Sequence, residues 1–282
     1  EQNRAKGLGL IGAAFGLGFI IGPAAGGILS QWGYSVPAFT AAGVATLNFF
    51  AIFFLLPESL TAERREEIDQ RKRLPFTINA LVDVLRRPIV GPLLHVRFFY
   101  GLGFATFQGI FALYTQAIGL SAQTTGYILG YVGLISVIVQ GVLIGRLTKR
   151  FRENWLIITG LWVMAASLLA WAFTAKLWVL LVVILPLALA GGVLNTVLQS
   201  AISKSVHRDE VGGILGIAGS LEALTRVIAP SVGGLLLQSL GIWAPGVFSA
   251  VIMGWAVTFA YRRIILPSIR ERRLAEAEAT YA

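Results

Sequence analysis

The most informative segment of this sequence is GLGLIGAAFGLGFIIGPAAGG, Gly7 to Gly27. Gly18, Gly22 and Gly26 are spaced four residues apart, so on a helix they form a stripe without side chains. Such a stripe lets a second helix approach backbone to backbone, as helices do in lipid. Pro23 bends the helix, which a membrane tolerates where neighbouring helices satisfy the freed carbonyl group. The stretch therefore predicts a membrane-spanning helix that packs closely against another helix.

The composition fits a chain that lies mostly within a membrane. Hydrophobic residues make up 56% of the 282 residues and charged residues 13%, and the mean hydropathy is +0.76. So few charges would not cover the surface of a water-soluble domain of this size. The chain has no cysteine, which excludes disulfides and thiol chemistry. It begins without Met and enters an apolar segment almost at once, so we expect it to be a fragment of a longer protein.

Eight apolar segments are long enough to span a membrane. They cover residues 7–29, 36–56, 90–116, 124–145, 155–175, 178–202, 212–238 and 243–265. With the N-terminus in the cytoplasm, 20 of the 23 Lys and Arg residues fall on the cytoplasmic side. This asymmetry predicts a multi-pass protein of the cell membrane (inner or plasma membrane) with both ends in the cytoplasm. It also accounts for the net charge of +9 without a nucleic-acid partner.

The polar segment 57–89 separates the second span from the third. Its charged first part predicts a solvated linker. Its second part places four apolar side chains on one helical face: Ile78, Leu81, Val82 and Leu85. This pattern predicts a helix that lies on the cytoplasmic membrane surface. The tail, residues 267–282, is predicted to be cytoplasmic.

The seventh span repeats the first. Pro23 and Pro230 are 207 residues apart, and Gly26-Gly27 and Gly233-Gly234 are separated by the same 207 residues. Two glycines are replaced in the second copy, by Thr225 and Ala229. A fixed period with matched turn residues indicates a duplicated bundle. Subtracting the period from the start of the second bundle predicts about four more spans before the first residue, and thus a twelve-helix parent.

With these motifs the chain resembles the major facilitator superfamily, and within it the tetracycline-resistance-like drug–proton antiporters. The first glycine-rich stretch is similar to their antiporter motif, at Gly9, Gly18, Gly22, Pro23, Gly26 and Gly27. LLPESL, residues 55–60, resembles the end of their sixth helix. GRLTKRF, residues 145–151, resembles their cytoplasmic Gly-x-Leu-x-Asp-Arg loop, with Gly145, Leu147 and Arg150 matching. Lys149 stands at the Asp position, which departs from the family pattern.

The resemblance covers about residues 1–266 and implies an all-α polytopic membrane protein with helices five to twelve of the family fold. The last two helices of the N-terminal bundle would occupy residues 1–56, and a cytoplasmic linker with an interfacial helix residues 57–89. The C-terminal six-helix bundle would occupy residues 90–266, followed by the tail.

The function implied is secondary active transport, with proton-coupled efflux of small amphipathic or drug-like compounds by alternating access. The alternative is uptake or facilitated transport of a polar small solute. The expected partners are the lipid bilayer, a small-molecule substrate and protons. No cofactor and no obligate protein partner is expected.

Charged residues within spans are the first candidates for coupling. Glu222 lies about 15 Å inside the seventh span, and Arg226 follows four residues later on the same face. Charges are costly in lipid, so both should face protein or water. On one interpretation Glu222 takes up and releases the coupling proton while Arg226 sets its affinity; on the other they form a static ion pair.

The third span carries an aromatic stripe with steps of four and three residues: Tyr100, Phe104, Phe107, Phe111 and Tyr114. With the neighbouring Gln108, it predicts a flat wall that binds a hydrophobic drug or an organic cation. Packing in the core is the alternative. The family resemblance implies that this helix lines the cavity.

Polar residues near the cytoplasmic ends of the spans predict a gate or structural hydrogen bonds: Arg97, Gln140, Asn195 and Gln199. Arg97 would alternatively snorkel back to the membrane interface. The fourth span has a small face of its own at Gly126, Gly130 and Gly133, and the resemblance implies that this helix slides against the first span.

Features of an enzyme are missing from the sequence. The two histidines, His95 and His207, have no second cluster of metal ligands near them, and the acidic residues lie mostly in loops. We therefore expect neither a metal site nor a catalytic centre.

Overall fold

The computed structural model describes residues 17–18, 21–55, 78–207 and 210–268. Nine helices, α1 to α9, are labelled in this part of the chain. They are α1 (21–29, followed by a 3-10 turn at Ser30–Trp32), α2 (Ser35–Leu55), α3 (Ile78–Arg86), α4 (Val90–Ala117), α5 (Ala122–Ile138, extended to Arg150), α6 (Glu153–Ala172), α7 (Leu177–Lys204), α8 (Val211–Leu240) and α9 (Ala244–Ala260, extended to Ser268).

Seven of these helices, α2 and α4 to α9, are long and apolar enough to cross a membrane. They confirm the all-helical, polytopic class predicted from the apolar segments, with ends that differ from the predicted spans by a few residues. The first predicted span is described only at residues 17–18 and 21–29. Gly9, the LLPESL segment after Leu55, the charged part of the linker and most of the tail lie outside the described residues.

Two glycines with a positive φ end the two copies of the repeat. Gly33 has φ of 124° and Gly241 has φ of 104°. A side chain is disfavoured in this conformation, which explains why glycine stands at the end of both copies. The matched turns support the duplication inferred from the sequence.

Helices α4 to α9 pack around a continuous apolar core. Its largest fully buried side chain, Trp171 on α6, lies against α4. Small residues allow close approach: a Cβ placed on Gly246 of α9 would lie 2.6 Å from Cβ of Ala172, and one on Gly160 of α6 would lie 2.9 Å from Leu194 of α7. Close contacts at small residues are typical of helices that associate in lipid.

The helix α3 forms where the sequence predicts an amphipathic helix, but it packs partly against the bundle. Val84 is 7% exposed and belongs to the core, and Leu81 and Leu85 pack against the same core. Val82, predicted to lie on the same apolar face, is 36% exposed. The face of α3 that is covered is therefore turned toward the first turns of α4.

Two helices contain π-helical segments that the sequence did not predict. Val139–Leu143 interrupts α5, and Tyr261–Ile265 follows Ala260 in α9. Such segments re-aim side chains and are frequent at functional sites. The segment in α5 contains Gln140, one of the predicted gate residues.

Candidate transport cavity

A cavity of about 450 Å³ lies between α1, α4, α5, α7 and α8. Its wall is formed mainly by α4 and α5, and it combines apolar, polar and charged side chains. The lining residues are Pro23, Arg97, Tyr100, Gly101, Phe104, Ala105, Gln108, Leu129, Val132, Gly133, Ser136, Gln140, Gly191, Gly192, Asn195, Glu222, Thr225 and Arg226. A pocket of this size and mixture is typical of a small-molecule site.

Three charged side chains meet on one wall of this cavity. Arg97 NH2 lies 2.8 Å from Glu222 Oε2, and Arg226 NH2 lies 2.7 Å from Glu222 Oε1. The carboxylate is thus held between two guanidinium groups, one from α4 and one from its own helix. When Glu222 is ionised, the cluster carries a net positive charge.

The burial of the three charges differs strongly. The Arg97 side chain is 8% exposed, Glu222 34% and Arg226 70%. Arg97 Nε and NH1 have no hydrogen-bond partner among the described residues. Because a buried cation without a counter-charge is very costly, the bond to Glu222 is what makes the position of Arg97 tolerable.

The spacing of Glu222 and Arg226 allowed their pairing to be predicted, whereas the pairing of Arg97 with Glu222 was missed. These two residues are 125 positions apart, on different helices. Arg97 lines the cavity and is bound to Glu222 from α8, while its role in a gate stays a prediction.

The first two aromatic residues of the predicted stripe lie at the cavity. Tyr100 and Phe104 stack with ring centroids 5.8 Å apart. The Tyr100 hydroxyl donates to the carbonyl oxygen of Gly191 at 3.0 Å, which fixes the ring against α7. The Phe104 ring also packs against α7, since a Cβ on Gly191 would lie in ordinary van der Waals contact with it, at 3.4 Å. Together the rings form a flat apolar wall next to the charged cluster.

The other three aromatic residues of the stripe do not line the cavity. Phe107, Phe111 and Tyr114 are 0–1% exposed and pack in the core. Trp171 lies 4.9 Å from the Phe107 ring centroid and 4.7 Å from that of Tyr114. The Tyr114 hydroxyl donates to the carbonyl oxygens of Trp171 and Thr174. Their assignment to the substrate wall was wrong, because the three rings are buried in the core, where Phe107 and Tyr114 pack against Trp171 of α6.

The polar residues assigned to the wall and the gate have different positions. Gln108, Gln140 and Asn195 line the cavity, and Gln140 enters it from the π-helical segment of α5. Gln199, one turn beyond Asn195 on α7, is exposed and is not part of the cavity lining. Ser136 and Thr225 line the cavity as well. The repeat marked Thr225 only as a replaced glycine, and no pattern in the sequence singled out Ser136.

The glycine motif contacts α5 through a different face from the predicted stripe. A Cβ on Gly27 would lie 2.9 Å from Gly126 Cα, and one on Gly126 would lie 2.5 Å from the Pro23 carbonyl oxygen. A Cβ on Gly18, Gly22 or Gly26 would meet no described atom within 4 Å. The close contact between α1 and α5 therefore runs through Pro23 and Gly27, one position around the helix from the stripe.

The residues of the loop motif lie at the far end of α5. A Cβ on Gly145 would have no described atom within 4 Å. The Leu147 carbonyl oxygen accepts a hydrogen bond from the Phe151 amide at 2.8 Å. The Arg150 guanidinium lies over the Phe151 ring, 5.9 Å from its centroid. Lys149 is exposed. The motif thus forms a capped, strongly basic turn between α5 and α6.

Within the described ranges, no group of three or more His, Asp or Glu side chains is arranged to hold a metal ion. The cavity lining offers ion pairs, hydroxyl groups, amides and aromatic rings.

Known proteins share the sequence pattern and the fold of this chain. A family model described as the Major Facilitator Superfamily matches residues 1–154 and, in a second match, residues 93–280. Solute carrier family 22 member 18 of Rattus norvegicus is 30% identical over 242 residues, which cover 85% of this chain and 59% of that protein. Tetracycline resistance protein, class C, of Escherichia coli is 28% identical over 285 residues, 99% of this chain and 68% of that protein.

Multidrug resistance protein 2 of Bacillus subtilis (strain 168) is 25% identical over 268 residues, 93% of this chain and 65% of that protein. The crystal structure of the human organic anion transporter MFSD10 (TETRAN) superposes with a TM-score of 0.65 at 23% identity, over 91% of this chain and 63% of that one. At this identity the superposition shows a shared fold. The chain spans about three fifths of the length of the solute carriers that it matches.

Proposed function

Because the chain belongs to the major facilitator superfamily, whose members are transporters rather than enzymes, we propose that it forms part of a secondary active transporter. The proposed activity is efflux of small amphipathic compounds in exchange for protons. Residues 1–56 would supply the last two helices of the first bundle, and residues 90–266 the second bundle. Both ends of the chain would face the cytoplasm, as the distribution of basic residues favours.

The observation that carries this proposal is the cluster of Arg97, Glu222 and Arg226 beside an aromatic wall. Charged groups inside a span are costly and are typical of ion and substrate pathways. Tyr100 and Phe104 offer a flat apolar surface to a drug-like ring system. The tetracycline and multidrug resistance proteins among the relatives favour a substrate of this kind.

Glu222 is the proposed proton carrier. When Glu222 is ionised, its ion pair with Arg97 joins α8 to α4. These two helices pack against each other along much of their length. When it is protonated, both ion pairs lose their negative partner, and the link between α4 and α8 weakens. Substrate and proton would then favour different arrangements of the same two helices, which is the requirement for exchange.

The moving contact in this proposal is the one between α1 and α5. Gly27 and Gly126 meet backbone to backbone, so no side chains interlock at this point. Two smooth helix surfaces can slide or separate without repacking, which suits the rocking of one bundle against another.

The test is transport by the complete protein in inverted membrane vesicles. With a pH gradient imposed, a panel of amphipathic drugs should collapse the gradient in a drug-dependent manner. Glu222→Gln should lower this proton flux at least tenfold while drug binding changes less than about twofold, since the amide still accepts a hydrogen bond from Arg97. Glu210→Gln is the matched control, because Glu210 pairs with Arg87 at the surface, outside the cavity.

Two outcomes would contradict the proposal. If Glu222→Gln transports like the wild type, the cluster is a static ion pair and the proton is carried elsewhere. If no drug collapses the gradient in the wild type, the aromatic wall serves packing, and transport of a polar solute becomes the better interpretation.

A further inference from the structure

A second concave surface lies at the connection between α5 and α6. It is an open groove of about 720 Å³, lined by residues 148–154 and by Lys204 at the end of α7. All three helices that border it are long and apolar enough to span a membrane. The groove therefore lies where the spans end, at the depth of the lipid headgroups.

The groove is strongly basic. Four cationic side chains line it, Lys149, Arg150, Arg152 and Lys204, against a single carboxylate, Glu153. Glu153 Oε1 accepts hydrogen bonds from Lys204 Nζ at 2.7 Å and from Ser200 Oγ at 2.9 Å. The one carboxylate of the groove is thus already paired with Lys204.

The remaining three cations have no ion pair among the described residues. All three are exposed, and they lie within four consecutive positions of the chain, 149–152. Like charges this close repel one another unless an anion lies between them. Lys149 adds to this repulsion, since it stands where the related loop motif has an aspartate.

An exposed apolar track leads away from the groove along α6. Trp155 is 59% exposed, Trp162 60% and Leu169 47%. Their spacing of seven residues places them on one face of the helix, each two turns beyond the last. Tryptophan at the end of a span is typical of the membrane interface, where its ring lies at headgroup level.

We propose that this groove binds the phosphate headgroup of an anionic phospholipid, whose acyl chain lies along Trp155, Trp162 and Leu169. Phosphate oxygens accept several charge-assisted hydrogen bonds at once, so one phosphate can relieve the repulsion among the three free cations. Basic clusters next to a span attract anionic lipids in this way. The apolar track favours a lipid over a soluble phosphate, because a soluble phosphate has no acyl chain that could pack against these side chains.

The experiment uses the complete protein in neutral detergent. Phosphatidylglycerol or phosphatidylcholine is titrated in, and binding is followed by thermal unfolding and by native mass spectrometry of retained lipid. We expect phosphatidylglycerol to bind and stabilise the protein more strongly than phosphatidylcholine. Lys149→Gln combined with Arg152→Gln should weaken this binding by about fivefold for each cation removed.

The matched control combines Arg262→Gln with Arg263→Gln. These two arginines are also exposed and lie in the α9 extension, outside the groove. This variant removes the same charge and should bind phosphatidylglycerol like the wild type. Trp155→Ala combined with Trp162→Ala should weaken binding of phosphatidylglycerol and leave the response to soluble glycerol phosphate unchanged.

Three results would overturn the proposal. The first is equal binding of the two lipids by the wild type. The second is equal loss in the groove variant and in the Arg262/Arg263 control, which would reflect net charge alone. The third is full stabilisation by inorganic phosphate or glycerol phosphate at the concentration where the lipid acts, which would assign the groove to a soluble anion. Unfolding temperatures in phosphatidylcholine report whether each variant is folded.

Discussion

The two copies of the glycine-rich repeat contact their neighbours through different faces. In α1 the second glycine of the Gly26-Gly27 pair is in close contact, and the first meets no described atom within 4 Å. In α8 the order is reversed: a Cβ on Gly233 would lie 3.0 Å from Ile110 and from Thr106, whereas Gly234 has nothing within 4 Å. One position on a helix is a rotation of about 100°.

The kind of contact differs as well. Gly27 of α1 meets backbone atoms of α5, while Gly233 of α8 meets side-chain methyl groups of α4. In α8 the stripe of Thr225, Ala229 and Gly233 is fully covered by its own bundle. In the sequence repeat this stripe is the counterpart of Gly18, Gly22 and Gly26, whereas the contact of α1 with α5 runs through Pro23 and Gly27.

The largest effect expected from this comparison is in the first copy. Gly27→Ala would place a methyl group 2.9 Å from Gly126 Cα and 3.1 Å from the Ala122 carbonyl oxygen, and backbone atoms cannot yield as side chains do. The helices must separate, so we expect transport to fall at least tenfold while membrane insertion is retained.

Gly26→Ala is the matched control for this variant. Its methyl group meets no described atom within 4 Å, and alanine favours a helix over glycine. Transport assays with both variants, corrected for the amount of protein in the membrane, check the prediction. Equal activity of the two variants would mean that the Gly27–Gly126 contact is not needed for the transport cycle.

A smaller effect is expected in the second copy. Gly233→Ala presses on the side chains of Ile110 and Thr106, which can shift by a few tenths of an ångström. This strain, about 1 kcal/mol, roughly cancels the gain of about 0.5–1 kcal/mol from replacing a helical glycine. We expect the unfolding temperature of Gly233→Ala to stay within about 2 °C of the wild type, with transport retained.

A Cβ on Gly234 would have no described atom within 4 Å, so Gly234→Ala should gain the stability of alanine in a helix without any steric strain. We therefore expect Gly234→Ala to unfold at a higher temperature than Gly233→Ala. Thermal unfolding of the two variants in detergent decides this. If Gly233→Ala loses as much transport activity as Gly27→Ala, the contact of Gly233 with side chains of α4 is as rigid as the contact of Gly27 with the backbone of α5. The expected difference between backbone and side-chain contacts would then be wrong.

The limits of sequence reasoning follow from the same helices. The apolar segments and the matched glycines can be read directly from the sequence, so they predicted the spans and the family. Local spacing also placed Glu222 and Arg226 on one face. It could not find Arg97 as the third member, because the pairing crosses 125 residues between two helices.

The aromatic stripe of α4 shows a second limit. Spacing places five rings on one face, but α4 is apolar on every side, so the pattern does not tell where another helix covers that face. Tyr100 and Phe104 line the cavity, whereas the other three rings are buried: Phe107 and Tyr114 contact Trp171, and Phe111 contacts Phe107. Trp171 lies on a different helix, α6, so the spacing within α4 could not reveal these contacts.

The smallest effect is expected at the ends of α4 and α8, where an ion pair ties the second copy to the helix on which it packs. Arg87 NH1 and NH2 each donate to the carboxylate of Glu210 at 3.0 Å, just before the two helices begin. This hydrogen bonding lowers the pKa of Glu210 below its ordinary value and raises that of Arg87. The pair is exposed, so its contribution to stability is small.

A carboxyl group with a lowered pKa in the folded protein contributes stability above its ordinary pKa and loses it as the pH falls through the lowered one. Glu210→Gln should therefore lower the unfolding temperature by about 1–2 °C at pH 7, and this difference should shrink as the pH falls below the ordinary pKa of a glutamate. Arg87→Gln should give the same profile, and adding Glu210→Gln to it should have no further effect. A difference that does not change with pH would show that packing, rather than the ion pair, joins these ends of α4 and α8.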